Sequence, residues 1–146
     1  MTDNVNSETA SWDDVQDAPK AKPAGEYVVK IVDAKLTQKK DKSAFYIEYA
    51  GVIQGGEFAG GRVRGMFSLG EQVWQFKRDS KAIGFAFTPG LSILEAAREF
   101  VDQIGGLDVS VLVTQKTRQI KGPDGSYIND PENVQENSIG RWLGVA

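Results

Sequence analysis

Ser92–Thr114 reads SILEAAREFVDQIGGLDVSVLVT. Ser92-Ile93-Leu94-Glu95 has capping-box form, with a hydroxyl three residues ahead of a carboxylate. Ile93, Ala96, Ala97, Phe100, Val101 and Ile104 then recur at i, i+3, i+4 spacing, which predicts a helix with one apolar stripe. Gly105-Gly106 supplies its stop. The period changes immediately afterwards. Leu107, Val109, Val111 and Val113 alternate with other residues, which predicts a strand over Leu107–Thr117 with one face in a core.

Upstream of this helix lie three β-rich segments. Glu26–Leu36 carries Tyr27, Val28, Val29, Ile31 and Val32. Ala44–Ile53 alternates Phe45, Ile47 and Tyr49 against Tyr46 and Glu48. Arg62–Leu69 sets Arg62, Arg64, Met66 and Ser68 on one face and Val63, Phe67 and Leu69 on the other. The polar stretch Thr37–Ser43 and the pairs Gly55-Gly56 and Gly60-Gly61 mark the turns of a three-stranded meander. Ser68-Leu69-Gly70-Glu71 has capping-box form and opens a shorter helix to about Ser80, with Trp74 and Phe76 expected to pack on the sheet. Downstream, the loop Arg118–Glu136 carries Gly122-Pro123-Asp124-Gly125 at its tip, which predicts a small hairpin, and Asn137–Val145 reads as the last strand.

Three strands, helices, then two strands predict a mainly β fold with helices: a five-stranded OB-fold-like Greek-key barrel with helices between strands 3 and 4. Ile31, Ile47, Phe100, Val101, Val109 and Val111 are expected in its core. The domain spans residues 25–146. Residues 1–24 read as a flexible acidic tail, because Val5, Trp12 and Val15 are too few apolar groups to offset ordering entropy.

The chain's 146 residues suffice for one domain with a core. It has no Cys and no His, which removes disulfides, thiolate zinc sites and every Cys or His mechanism. That composition argues against an enzyme and calls for no cofactor or metal. No apolar run approaches the roughly 18–20 residues of a membrane helix, and the start lacks a signal-peptide pattern, so a cytoplasmic protein with no membrane partner is expected.

The net charge of −3 is unevenly spread. Residues 1–24 hold Asp3, Glu8, Asp13, Asp14 and Asp17 against Lys20 and Lys22, leaving the rest of the chain neutral. In an OB barrel, ligands cross strands 2 and 3, flanked by the loops joining strands 1–2 and 4–5. Nine basic residues map there: Lys35, Lys39, Lys40 and Lys42 at the first loop, Arg62 and Arg64 on strand 3, and Lys116, Arg118 and Lys121 leading into the long loop. Such residues neutralise phosphates along a single strand, and exposed aromatic rings stack its bases. Tyr46, Tyr127 and Trp142 are the stacking candidates. The bland readings are solvated lysine turns, Arg62 and Arg64 paired with Glu48 and Glu57, and Trp142 in the core.

Other motifs fail. The glycines Gly55, Gly56, Gly60, Gly61 and Gly65 do not fit a nucleotide-binding GxGxxG, and Asp124, Asp130 and Glu132 lack EF-hand spacing. Two further functions stay open. One is an accessory or structural protein that uses the same barrel to bind protein. The other is an enzyme working through carboxylates such as Asp33, Glu48 and Asp108.

Three stretches carry a resemblance: Pro23-Ala24-Gly25-Glu26-Tyr27, GGEFAGGRVR at residues 55–64, and SIGRWLGV at residues 138–145. Over about Pro23–Ala146 the chain is similar to small bacteriophage single-stranded-DNA-binding proteins. It departs from them in carrying its acidic segment at the N-terminal side and ending on apolar residues. The resemblance implies coating and protecting single strands in DNA replication or recombination, in the host cytoplasm if phage-encoded. The Trp12–Asp14 cluster then reads as a docking peptide for a replication or recombination partner, or as a solubilising segment.

Overall fold

A computed structural model describes residues 21–39 and 44–146. The predicted tail up to Lys20, and Lys40 and Lys42 of the first loop, lie outside the described residues. The elements are β1 (Gly25–Gln38), β2 (Phe45–Ile53), β3 (Arg62–Ser68), α1 (Val73–Ala82), α2 (Ile93–Gln103), β4 (Asp108–Thr117), β5 (Gln119–Lys121), β6 (Tyr127–Asn129) and β7 (Gln135–Val145). One five-stranded antiparallel sheet runs β3-β2-β1-β4-β7, and β5-β6 form the predicted hairpin. No helix among the described residues is long and apolar enough to cross a membrane.

β1 holds the sheet together by serving two partners. Its first half pairs with β4 (Gly25↔Val113 to Lys30↔Asp108) and its second half with β2 (Val29↔Ile53 to Gln38↔Phe45). A bulge falls between Ile31 and Asp33. It reverses the inward–outward phase of the strand. Val29 and Ile31 are buried before it, and Ala34 and Leu36 pack on the core after it. Asp33 and Lys35 therefore both face outward, where an unbroken alternation from Val29 would have sent them inward.

The core lies between the sheet and the two helices. α2 has the predicted capping box, with Ser92 Oγ accepting from Glu95 N at 3.2 Å and Glu95 Oε1 accepting from Ser92 N at 3.1 Å. Ala97, Phe100 and Ile104 are buried along its inner face. Val101 is half-buried at the margin of that core, and Ile93, the first residue of the helix, is exposed. The other expected capping box does not form. Ser68 is the last residue of β3, its backbone committed to Tyr46, and α1 starts at Val73 after an N-cap, Gln72, whose side chain accepts from Gln75 Nε2 and caps no backbone N–H. Phe76 is buried as expected, whereas Trp74 is 55% exposed.

Trp142 corrects another expectation. It is no stacking platform but the largest fully buried side chain. It packs against Tyr49 (5.1 Å between centroids, edge-on), Phe67 (5.5 Å) and Phe100 (5.6 Å), and its Nε1 donates to Tyr49 Oη at 2.8 Å. Two register shifts in the β4–β7 ladder turn both Ile139 and Trp142, three residues apart, into the core. Gly65 of β3, directly across from Tyr49, completes the arrangement, since any Cβ there would overlap the Tyr49 ring.

Trp142 Nε1 is sealed from water, so its acceptor cannot be replaced by solvent. Tyr49→Phe is expected to lose about 1–3 kcal/mol, the usual consequence of stranding a buried donor. The check is urea unfolding, which should show a lower midpoint with an unchanged slope.

Candidate functional site

A groove of about 820 Å³ crosses the outer surface of the sheet. β1 contributes Asp33 and Lys35, β2 Glu48, and β3 Arg62, Arg64 and Met66. The opposite wall comes from Lys116 at the end of β4 and from Glu136–Ile139 of β7. The β1 bulge supplies the first pair, and strict alternation on β3 supplies the last three. Of the sequence-predicted residues, the groove thus unites Lys35, Arg62, Arg64 and Lys116.

Its electrostatics are mixed. Arg62 is ion-paired with Asp33, and Lys35 Nζ lies 3.3 Å from Glu48 Oε2. Neither arrangement is the expected pairing of arginines with Glu48 and Glu57. Both pairs are well exposed, so each contributes roughly 0–1 kcal/mol, and an incoming anion can exchange with the carboxylate at little loss. Arg64 is exposed and has no ion-pair partner among the described residues. Met66, 57% exposed, gives the floor an apolar spot between these charges. Asp108, the remaining carboxylate of the enzymatic reading, lies 3.3 Å from Lys30 Nζ, so Asp33, Glu48 and Asp108 each face a different cation.

Tyr46 is half-buried on the same outer face of β2 as Glu48, paired with Ser68 and Thr37 at the end toward the first loop. Lys39 is exposed at that turn, its backbone N–H bonded to Ala44 O at 2.9 Å. Lys121 and Tyr127 are cross-strand partners on the β5–β6 hairpin, with Tyr127 72% exposed.

Arg118 lies outside the groove. Its guanidinium is held by the buried Asp130 (Nε to Oδ2 3.0 Å), while backbone bonds join Asp130 N to Arg118 O and Arg118 N to Val134 O. It anchors the hairpin, with its side chain still about half exposed. The hydrogen bond from Glu132 N, then Arg118 itself, holds the Asp130 carboxyl below its ordinary pKa. Asp124 at the hairpin tip is held low by the Ser126 hydroxyl and Ser126 N.

The boundary of the predicted tail also moves. Lys22 N donates to Asn137 Oδ1 at 2.7 Å, and Asn137 Nδ2 donates back to Lys22 O at 2.8 Å. The Lys22 side chain lies across Gly61, and Pro23 O accepts from Tyr27 Oη at 2.8 Å. The chain is thus fastened beside the groove, three residues before the expected start of the domain. Neither the acids of the groove nor this clamp carried a local sequence signal.

A scan against protein-family models finds no match, and no curated protein matches at a significant level.

Asp124 and Asp130 both have depressed values, so their stabilisation of the hairpin is full above the unfolded carboxyl pKa of about 4 and is lost as pH falls through the folded values. Amide exchange at Arg118 and Gly122, whose N–H groups bond Val134 O and Ser126 O, should accelerate relative to amides of β1 below about pH 4. Asp130→Asn should speed the same amides at neutral pH and flatten part of the acid response.

Proposed function

We propose that this chain is a sequence-tolerant single-stranded-DNA-binding protein that takes its ligand along the groove over β1, β2 and β3. One observation carries the reading: the groove brings Arg64, which has no ion-pair partner among the described residues, together with Lys35, Arg62 and Lys116. The strand order β3-β2-β1-β4-β7, with helices between β3 and β4, fits an OB barrel open between β3 and β7, whose ligands cross this face. Such a surface contacts phosphates without reading base edges, which suits coating and protecting single strands in replication or recombination. The three carboxylates and Met66 in the groove favour a second reading, a protein-binding module for a peptide of mixed charge.

Titration of labelled oligo(dT) and of duplex DNA at about 50 and 200 mM salt separates the two. Salt-sensitive binding of the single strand in preference to duplex is expected, and no binding at low salt rejects the reading. Arg62→Ala with Arg64→Ala should weaken binding and make the log–log salt slope shallower by about one unit per lost contact. Tyr46→Ala should lose roughly 1–3 kcal/mol if its ring stacks a base.

Residues 1–20 carry five acids against Lys20 alone, and they join the domain at the Lys22–Asn137 clamp beside the groove. A tethered anionic segment reaches effective concentrations of about a millimolar and competes for the same cations. Deleting residues 2–20 should tighten oligonucleotide binding at low salt, with the difference closing as salt rises. Equal affinities at low salt would leave that segment a partner-docking or solubilising role.

A further inference from the structure

Trp74, Lys77, Arg78 and Lys81 fall at i, i+3, i+4 and i+7 of α1 and so share one face of the helix. A tryptophan more than half exposed is unusual, since the ring loses more on solvation than any other side chain. Its neighbours hold it in a defined setting. Buried Asp79 fixes Arg78 through Nε at 2.7 Å, and the Arg78 guanidinium lies over the indole, 5.3 Å from its centroid. One ring face is covered by a cation, and the other is open. Lys77 and Lys81 are exposed a turn apart, with no ion-pair partner among the described residues. The only carboxylate within the helix, Asp79, is buried and already satisfied.

α1 lies farther along the same two strands as the groove. Four antiparallel steps separate β3 from β7, so these two edge strands run in the same direction. The groove lies over their first halves, at Arg62–Met66 and Glu136–Ile139. α1 lies over their second halves: Phe76 packs on Phe67 at 5.4 Å, and the Ala82 carbonyl sits beside Gly144. Because Phe67 faces the core while Arg62, Arg64 and Met66 face outward, a ligand that runs from the groove to α1 turns around the edge of β3.

From the open indole face and the lysines beside it, we infer that the outward face of α1 is a second contact surface for single-stranded nucleic acid, stacking one base on Trp74 and holding flanking phosphates with Lys77 and Lys81. This rests on the reading of the groove and extends it, because it makes the site longer than the groove. A ring with one face on a guanidinium offers its other face to any base, and the paired lysines suit a charged backbone.

The full-length protein, its Trp74→Ala variant and its Lys77→Ala/Lys81→Ala variant should be titrated with oligo(dT) of about six and about 20 nucleotides. All three positions are exposed, so circular dichroism and urea midpoints should stay near those of the parent. The parent is expected to bind the long oligonucleotide more tightly than length statistics alone require. Trp74→Ala should weaken the long one at least about fivefold and leave the short one unchanged. The double lysine variant should lower the salt slope for the long one by about two. Unchanged long-oligonucleotide affinity in both variants overturns the inference while leaving the groove reading intact. Equal loss for both lengths overturns it too, since Trp74 would then act through the groove. Failure of the parent to bind either oligonucleotide removes the inference together with the groove reading. If instead the variants lose affinity for a peptide of residues 8–20 and not for DNA, the face serves an acidic peptide and the inference falls.

Discussion

One buried hydrogen bond, from Trp142 Nε1 to Tyr49 Oη, joins the two ends of the sheet. Trp142 comes from the last strand and Tyr49 from the second, and Gly65 of β3 is the space into which the tyrosine ring settles. An indole is the most costly ring to bury without a partner for its N–H. Burial pushes the Tyr49 hydroxyl far above its ordinary range, so it stays a neutral phenol. With that bond made, Phe67 and Phe100 close around the indole with Phe76 behind them, and α1 finds its place against β3 and β7 and α2 against β1 and β2. The groove rests on the same unit, since Tyr49 and Gly65 form part of its floor.

The elements that were legible in the sequence are those decided by local chemistry. α2 needed only a serine, a glutamate three residues on and an apolar stripe, and its box formed as read. β3 alternates without interruption, so Arg62, Arg64 and Met66 could be placed together on one surface. Where the period breaks, reading by twos fails. The shifts in the β4–β7 ladder turn Trp142 inward, where an even alternation from Ile139 would have turned it out. Arg118 looked like any other cation near a loop, because nothing in its own neighbourhood reveals that Asp130, twelve residues later, is buried and waiting for it. Ser68 had the right spacing for a cap and was claimed instead by the ladder with β2.

The bulge in β1 has effects at two levels. Structurally, it lets one 14-residue strand present a continuous apolar side to two partners that twist away from each other. Chemically, it places a carboxylate and an amine outward within three residues: Lys35 meets Glu48 on neighbouring β2, and Asp33 reaches past β2 to Arg62 on β3. The groove is therefore nearly neutral at rest while holding cations that exchange partners readily. A surface built in this way stays soluble without a ligand and avoids the self-repulsion of an uncompensated basic strip.

Asn137 shows how a side chain can stand in for a strand. Its amide carbonyl and amide NH2 meet the N–H and C=O of Lys22, the same two-bond exchange that a residue in an antiparallel ladder makes with its opposite number. A third bond, from Nδ2 to Thr114 O, keeps the amide from rotating. The protein therefore fixes the path of its N-terminal segment with a single residue and no additional β-structure. In evolutionary terms, the sequence ahead of residue 21 can drift in length and charge under its own selection, while one asparagine preserves the place from which it departs.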